Sequence, residues 1–475
     1  MSQRIRRARR LPLVAGLLAL AGAVAVAAVL ATTAGGAGAA KSTIKVAILS
    51  DCEGAFGSFY EQDIGGAQAA FAHYAHGKPN NKNKPSAGMT GINVAGHPIK
   101  IVGYGCSNDR ADTAIKETRR LMEQNDADIL IGPLSGDESV AVSHYAKGHP
   151  KKTFINGAAG AQDTTLKTRA KNYFRFNLDG AQFTAGDGEL AYRKLKWRKV
   201  AVISDDYSFA WTNSGGFIAE FCALGGKITK RVYPPLNTTD YSSYAQQLPS
   251  PNQVDGYFWA VGGSGLIPSL KAYQNAKGRI NGKKFFGNVF WGTPGQFQQL
   301  GNRVAGAHAG QGQAPDLKTK AAIRYSNIIG SVYKQFPPFG AAKPQAGSVF
   351  TYTYFVAAEA LAKALQKVKG DISGGQKKLQ AALAKTVLTD AAYGKIRLDK
   401  NRNAITDAYI QQLYVKGGKL AIKTVYKTPN TSQGFGGIFT TKTPSPGRSF
   451  PKCVKRKPPP WVGHLIKVVN GIPRK

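Results

Sequence analysis

The side chains that most often carry catalysis are scattered here in ways that support little of it. Seven histidines (His73, His76, His97, His144, His149, His308 and His464) fall in no metal-ligand spacing. C-x-x-C and H-x-x-x-H are absent, as are the G-x-S-x-G elbow and the P-loop. Gly262-Gly263-Ser264-Gly265 sits at a strand-to-helix turn but lacks the G-x-G-x-x-G pattern of a dinucleotide site. The sequence therefore predicts binding rather than catalysis, with no cofactor and no metal. Residues suited to holding a solute are easier to find. In residues 134–139 (LSGDES) a loop runs into a helix, and the free N–H groups of a first helical turn can receive an acceptor group. Ser135 and Gly136 stand at that entry, followed by Asp137 and Glu138, which either contact a ligand or cap and polarise their own helix. Tyr207, Trp259 and Trp291 end or follow strands, where each either lines a cleft for a flat or apolar ligand or packs in a core.

Four cysteines, Cys52, Cys106, Cys222 and Cys453, permit two disulfides in an exported chain. Cys52 and Cys106 both follow early strands and can meet at one sheet edge. Cys222 lies on an apolar helix face with Trp211, Ile218 and Phe221, and alone it would read as a buried thiol. It is also the partner left for Cys453, and that bond would staple a basic tail to the second half of the fold.

The elements that position these residues alternate short β-branched runs with helical periods, the pattern of parallel sheets covered by helices. Strands are expected at residues 44–50 (IKVAILS), in a hairpin over 92–104, and at 128–132, 152–157 and 173–179. Ile64, Ala67, Phe71 and Tyr74 mark one apolar helix face, and Ala111, Ile115, Thr118 and Met122 another. A second series of strands follows at 200–204, 227–233, 256–262 and 285–290, then long helices over 318–335 and 347–367 and a strand pair at 394–398 and 408–415. Repetition of the same βα order implies two similar lobes.

Several blocks in order resemble the periplasmic leucine/isoleucine/valine-binding family of solute receptors: IKVAILSDCEGAFG from Ile44, DILIGPLSGDES from Asp128, FINGAAGA from Phe154 and KVAVISDDYSFA from Lys199. The resemblance covers about residues 44–427. It implies an α/β fold of two Rossmann-like lobes with parallel sheets, joined by a hinge that the chain crosses three times (the type I periplasmic-binding fold), with the ligand clamped where the strand ends of both lobes face each other. Crossings are placed near Asp179, Ala305 and Ala392. Lobe 1 then comprises residues 41–179 plus 305–391, and lobe 2 residues 180–304 plus 392–427. Residues 428–475 remain as a basic, Pro/Gly-rich tail read as irregular. The resemblance further implies a solute delivered by a monomer to an ABC permease, or alternatively a ligand-sensing module at the cell envelope without transport. Phe59 stands where the family carries an aromatic covering the ligand, or else packs in the core. The loop of Ala158 and Gly160 stands where the family makes main-chain and hydroxyl contacts.

The chain departs from the amino-acid binders of this family at three places. They carry hydroxyl residues at the positions aligned with Gly136 and Gly160, and a carboxylate for the ligand's ammonium at the approximate position of Val289. A buried ammonium without its partner costs about 3–5 kcal/mol. An α-amino acid held in the family's usual way is therefore not expected.

The first 40 residues read as an export signal: Arg4, Arg6, Arg7, Arg9 and Arg10, an uncharged run over 11–31, then small residues up to Ala40. The segment is either cleaved near Ala40 or kept as an anchor, since the uncharged run is long enough to span a bilayer. Both readings place the protein outside the cytoplasm, periplasmic or extracellular. The net charge of +37 is spread along the chain without a nucleic-acid motif. It fits a solvated basic surface near an anionic envelope or partner, and no nucleic acid.

Overall fold

The structure, a computed structural model, describes residues 41–333 and 347–474. The expected export signal lies outside the described residues. No helix among them is long and apolar enough to cross a membrane.

Lobe 1 is built on β1 (Ile44–Asp51), β2 (His97–Ser107), β3 (Ile129–Ile131), β4 (Thr153–Ile155) and β5 (Tyr173–Phe174). They pair in parallel in the order β2-β1-β3-β4-β5, and the hairpin arm Asn93–Val94 closes the β2 edge. β1 reads as a nearly unbroken apolar run because it is buried on both faces. Helices α1 (Tyr60–Ala75), α2 (Ala111–Arg119) and α3 (Gly136–Gly148) cover the sheet.

Lobe 2 repeats the plan with β6 (Lys199–Ser204), α4 (Ser208–Ala223), β7 (Lys227–Val232), β8 (Gly256–Ala260), α5 (Leu266–Lys277) and β9 (Phe285–Gly287). β10 (His308–Gln311), which was not foreseen, pairs with β9. The second crossing therefore follows Gln311 instead of lying near Ala305. Its sequence, HAGQ, carries no β-branched residue and gave no strand signal. The chain then returns to lobe 1 with α6 (Lys320–Val332) and α7 (Val349–Lys367), where Tyr74 donates to Glu359 and Tyr354 to the carbonyl of Leu49. After α8 (Lys377–Ala384) and β11 (Ile396–Leu398), β12 (Ala404–Lys416) pairs antiparallel with β10.

The tail expected to be irregular is an ordered part of lobe 2. β13 (Lys419–Thr431) completes a long hairpin with β12, and β14 (Ile466–Val469) and β15 (Ile472–Arg474) extend the same sheet. Between them the chain packs Phe435 edge-on against Trp461, whose indole N–H donates to Glu220 on α4 at 2.8 Å. Both disulfides are present, Cys52–Cys106 in lobe 1 and Cys222–Cys453 between α4 and the tail. Pro, Gly and Lys dominate the composition of this stretch, but a few buried aromatics and one covalent bond fix its path.

The hinge is held by a buried polar network. Arg175, fully buried, donates to Asn403 Oδ1 at 2.5 Å, to the carbonyl of Ala161 at 2.6 Å and to Thr165 Oγ1 at 2.7 Å. Asp179 opens a capping box with Gln182, whose side-chain amide reaches the carbonyls of Ala404 and Thr431. The network therefore joins the first and third crossings. Replacing Arg175 with Ala removes a charged donor from three buried acceptors, of which Asn403 Oδ1 keeps only the hydroxyl of Thr165 at 3.3 Å. Arg175→Ala is therefore expected to lower the unfolding free energy by roughly 3 kcal/mol or more, read from the midpoint shift in urea.

Candidate functional site

The carboxyl ends of the two sheets face each other, and the loops that leave them meet across the cleft. From lobe 1 come the turn Gly54–Phe59 after β1, the entry to α3 after β3, and residues 157–161 after β4. From lobe 2 come the entry to α4 after β6 and the turn Val289–Gly292 after β9. β9 is shorter than the sequence indicated: Asn288 accepts the N–H of Phe290, ends the strand and turns that ring into the cleft. Helix α7 supplies Val349, Phe350 and Thr353 from a third side.

Aromatic contacts join the lobes. The Phe290 ring of lobe 2 stacks on Phe56 of lobe 1 with centroids 5.3 Å apart and 12° between planes. It also touches Phe59 at 5.9 Å and Phe350 at 5.4 Å. Tyr207 lies 5.9 Å from Phe56 and 6.0 Å from Phe209. Pairs at such separations add about 0.5–1.5 kcal/mol beyond the area they bury. The cavity left between these rings is about 20 Å³, room for little more than one water. The lobes are thus closed on each other.

Phe209 explains two glycines. A Cβ on Gly136 would stand 2.6 Å from Ser208 Oγ and 2.7 Å from the Phe209 amide nitrogen. One on Gly160 would stand 2.6 Å from the Phe209 ring. The hydroxyl residues missing from the sequence are missing where the α4 entry needs the space. The same entry receives Asp137, whose carboxylate accepts the backbone N–H of Ser208 across the cleft at 3.1 Å.

Of the residues singled out in the sequence, Ser135, Gly136, Ala158, Gly160 and Tyr207 line the cavity, and so does Val289. Phe59 lies one layer behind, against Phe350 with centroids 4.3 Å apart. Trp259 and Trp291 belong to the core of lobe 2 and do not line the cleft. Trp259 meets Tyr273 edge-on and donates to Ser269, and Trp291 packs on Phe285 and Phe297. Glu138 points away from the cavity. Sequence reasoning missed Phe56, Phe183, Phe209, Phe290 and Phe350. Phe209 follows Tyr207 by two residues in a block already singled out, whereas Phe350 sits on a helix whose periodicity signalled only packing.

Glu138 instead joins Asp51 and Asp109 in a buried acidic group beneath the Gly54–Phe59 turn. Ser107 donates to Asp51 at 2.7 Å, and Asp109 accepts the N–H of Ala55 at 2.5 Å, which holds the turn carrying Phe56 and Phe59. Burial raises the pKa of Glu138 to about 7, and burial with the nearby Asp51 raises that of Asp109 to about 9. Burial, with Glu138 next in weight, raises that of Asp51 as well. Both Glu138 oxygens, Asp51 Oδ2 and Asp109 Oδ1 have no donor from other groups. A proton kept on one carboxyl supplies such a donor to its neighbour.

A family model described as periplasmic binding protein matches residues 43–419. No protein of curated function matches the sequence. Among solved structures the chain is similar to an ABC transporter substrate-binding protein from Sphaerobacter thermophilus, with 18% identity, a TM-score of 0.68, and coverage of 82% of this chain and 99% of the other. A solute-binding protein of an ABC transporter from R. palustris in complex with benzoate gives 20% identity, a TM-score of 0.65, and coverage of 80% and 95%. The leucine-binding protein LivK of Thermotoga maritima gives 19%, 0.63, 80% and 97%.

The acidic group sets a pH dependence. Glu138 has a folded pKa near 7 against an ordinary glutamate value of 4.5, so its contribution to stability is full below the unfolded value and is lost as pH rises through the folded one. Asp109 extends the loss to about pH 9. The melting temperature is expected to be higher at about pH 5.5 than at about pH 8.5, with part of that difference absent in Glu138→Gln. Equal melting temperatures at the two pH values in the unmodified protein would contradict this assignment.

Proposed function

We propose, from the premise that this chain belongs to the periplasmic binding protein family, that it is an exported binding protein that captures a small, flat, largely apolar solute between its lobes and presents it to the permease of an ABC importer of the branched-chain amino acid type. The observation that carries this reading is the lining of the cleft. Five phenylalanines and Tyr207 surround the cavity, and no charged side chain is among its lining residues. An apolar lining with few polar groups takes a solute of matching character.

Two features restrict the solute further. Asp137 already holds the Ser208 amide and Glu138 faces the acidic group, so neither is placed to pair with an α-ammonium. Ser135 Oγ is buried without a hydrogen-bond partner at the first turn of α3, where backbone N–H groups also end unpaired by the helix. A ring bearing one acceptor group uses both: stacking on phenylalanine and hydrogen bonding at the α3 entry. Aromatic acids are the first class to test. Proteins of this fold from R. palustris in complex with benzoate and 4-hydroxybenzoate support that choice. Because the closed cavity is so small, capture requires the lobes to part and the rings to move aside.

Thermal shift with benzoate, 4-hydroxybenzoate, leucine and valine separates the classes. A solute bound only by the folded protein at a hundredfold excess over its Kd adds about 2.7 kcal/mol, so a raised melting temperature is expected with the aromatic acids and none with leucine or valine. A larger shift with leucine would overturn the aromatic assignment. Gly136→Ser places atoms against Ser208 and Phe209 in the closed form. This variant is expected to weaken binding by about tenfold or more, a loss of about 1.4 kcal/mol, in calorimetric titration.

A further inference from the structure

A second concave feature lies away from the cleft, on one face of the lobe 2 sheet. It is a groove of about 830 Å³, far larger than the closed cleft, and its lining includes Lys194, Lys318, Lys416, Lys423 and Lys467. All five lysines are exposed. Among the described residues none of the five forms an ion pair. The only acidic residue in the lining, Asp316, is already engaged by the backbone N–H and hydroxyl of Thr424. The groove therefore sets five lysines against one carboxylate and presents a net positive charge.

The sheet register arranges that charge along a line. His308 pairs with Gln412 and Gln412 with Lys423, so one row crosses β10, β12 and β13. Two residues along β12, Ile410 pairs with Tyr426 and Tyr426 with Lys467. Residues two apart on a strand share a face, so Gln412, Tyr414 and Lys416 continue it. Lys467 and Lys416 are thus separated by six residues of β12, about 20 Å at the rise of a strand. A single phosphate or carboxylate is too short to engage both ends.

His308 forms part of the groove lining, nine-tenths buried and stacked on Phe286, and its Nδ1 has no hydrogen-bond partner. Burial and the nearby Lys423 hold its pKa near 4. The ring is therefore neutral at ordinary pH, and the field of the groove comes from lysines. More than half of the lining residues lie beyond residue 419, outside the part that matches the family model. The groove is thus built in good part by β13 and by the C-terminal extension after it, which the Cys222–Cys453 bond and the Trp461–Glu220 hydrogen bond fasten to α4.

We propose that this groove is a second binding site, distinct from the solute cleft, and that it takes an extended linear polyanion with repeating phosphate groups. Lysine ammoniums are point charges on flexible stems, suited to following a charged chain without fixing the orientation of each group. The concave, elongated form favours a chain over the flat surface of a bilayer, and release of the chain's counterions makes the interaction steeply salt-dependent.

The test is a titration of the full chain with inorganic polyphosphate of about 30 units against orthophosphate, over a series of salt concentrations. Polyphosphate is expected to bind and orthophosphate not to compete at equal phosphate. Lys416→Glu, Lys423→Glu and Lys467→Glu together are expected to weaken polyphosphate binding by about tenfold or more and to flatten the salt dependence. A control triple, Lys147→Glu, Lys171→Glu and Lys400→Glu, changes the same charge at another basic pocket and is expected to leave most of the affinity. Retained melting temperature and a retained shift with the cleft solute show that the groove triple is folded. Equal weakening by the two triples would overturn the site in favour of net charge alone. Orthophosphate binding as tightly as the chain would overturn the extended ligand. Capture on phosphatidylglycerol vesicles that the groove triple abolishes, with polyphosphate binding unchanged, would assign the groove to a membrane and overturn the proposal.

Discussion

The contact on which the cleft depends is the approach of the α4 entry to two glycines of lobe 1. Phe209 and Ser208 come so near Gly136 and Gly160 that no side chain fits between them. That single steric fact has linked consequences. It lets Asp137 reach the Ser208 amide across the cleft, and it excludes at these positions the hydroxyl groups that the amino-acid binders carry there. The cleft trades side-chain hydrogen bonds for aromatic surface, and its chemistry follows from that exchange.

The acidic group below the cleft belongs to the same logic. A turn bearing Phe56 and Phe59 must be held firmly for those rings to meet Phe290 and Phe350. Asp109 does this through the Ala55 amide, and Asp109 is in turn kept company by Asp51 and Glu138. Burying three carboxyls together is tolerable only while protons are shared among them. The turn is therefore supported by groups whose charge state depends on the medium. At the hinge Arg175 plays the complementary part, a buried cation whose hydrogen bonds join the first and third crossings.

The parallel frame was legible in the sequence because buried strands write it in runs such as IKVAILS and KVAVIS, and two series of such runs gave the lobes. β10 was not legible, since HAGQ is held by its neighbours and carries no propensity of its own. Loops after strands pointed to Ser135, Ala158 and Tyr207, which the structure brings together around one cavity. Aromatic residues were harder to read: Trp259 and Phe209 look alike in sequence, and only the side of the sheet end on which each falls separates core from cleft. The extension after residue 428 was misread for a related reason. Composition averages over a segment, whereas Trp461, Phe435 and Cys453 fix its path individually.

α4 carries Phe209 in its first turn and Cys222 in its last. The two are about 20 Å apart along the helix axis. One end touches lobe 1 through Gly136 and Gly160, and the other is bonded covalently to the extension. In mechanical terms the helix is a strut running from the jaw of the clamp to its outer casing. When the jaw opens, the casing must travel with lobe 2 as one body. The face of the molecule that bears the lysines is thereby swung through the same arc as the lobe 2 rings that line the cleft.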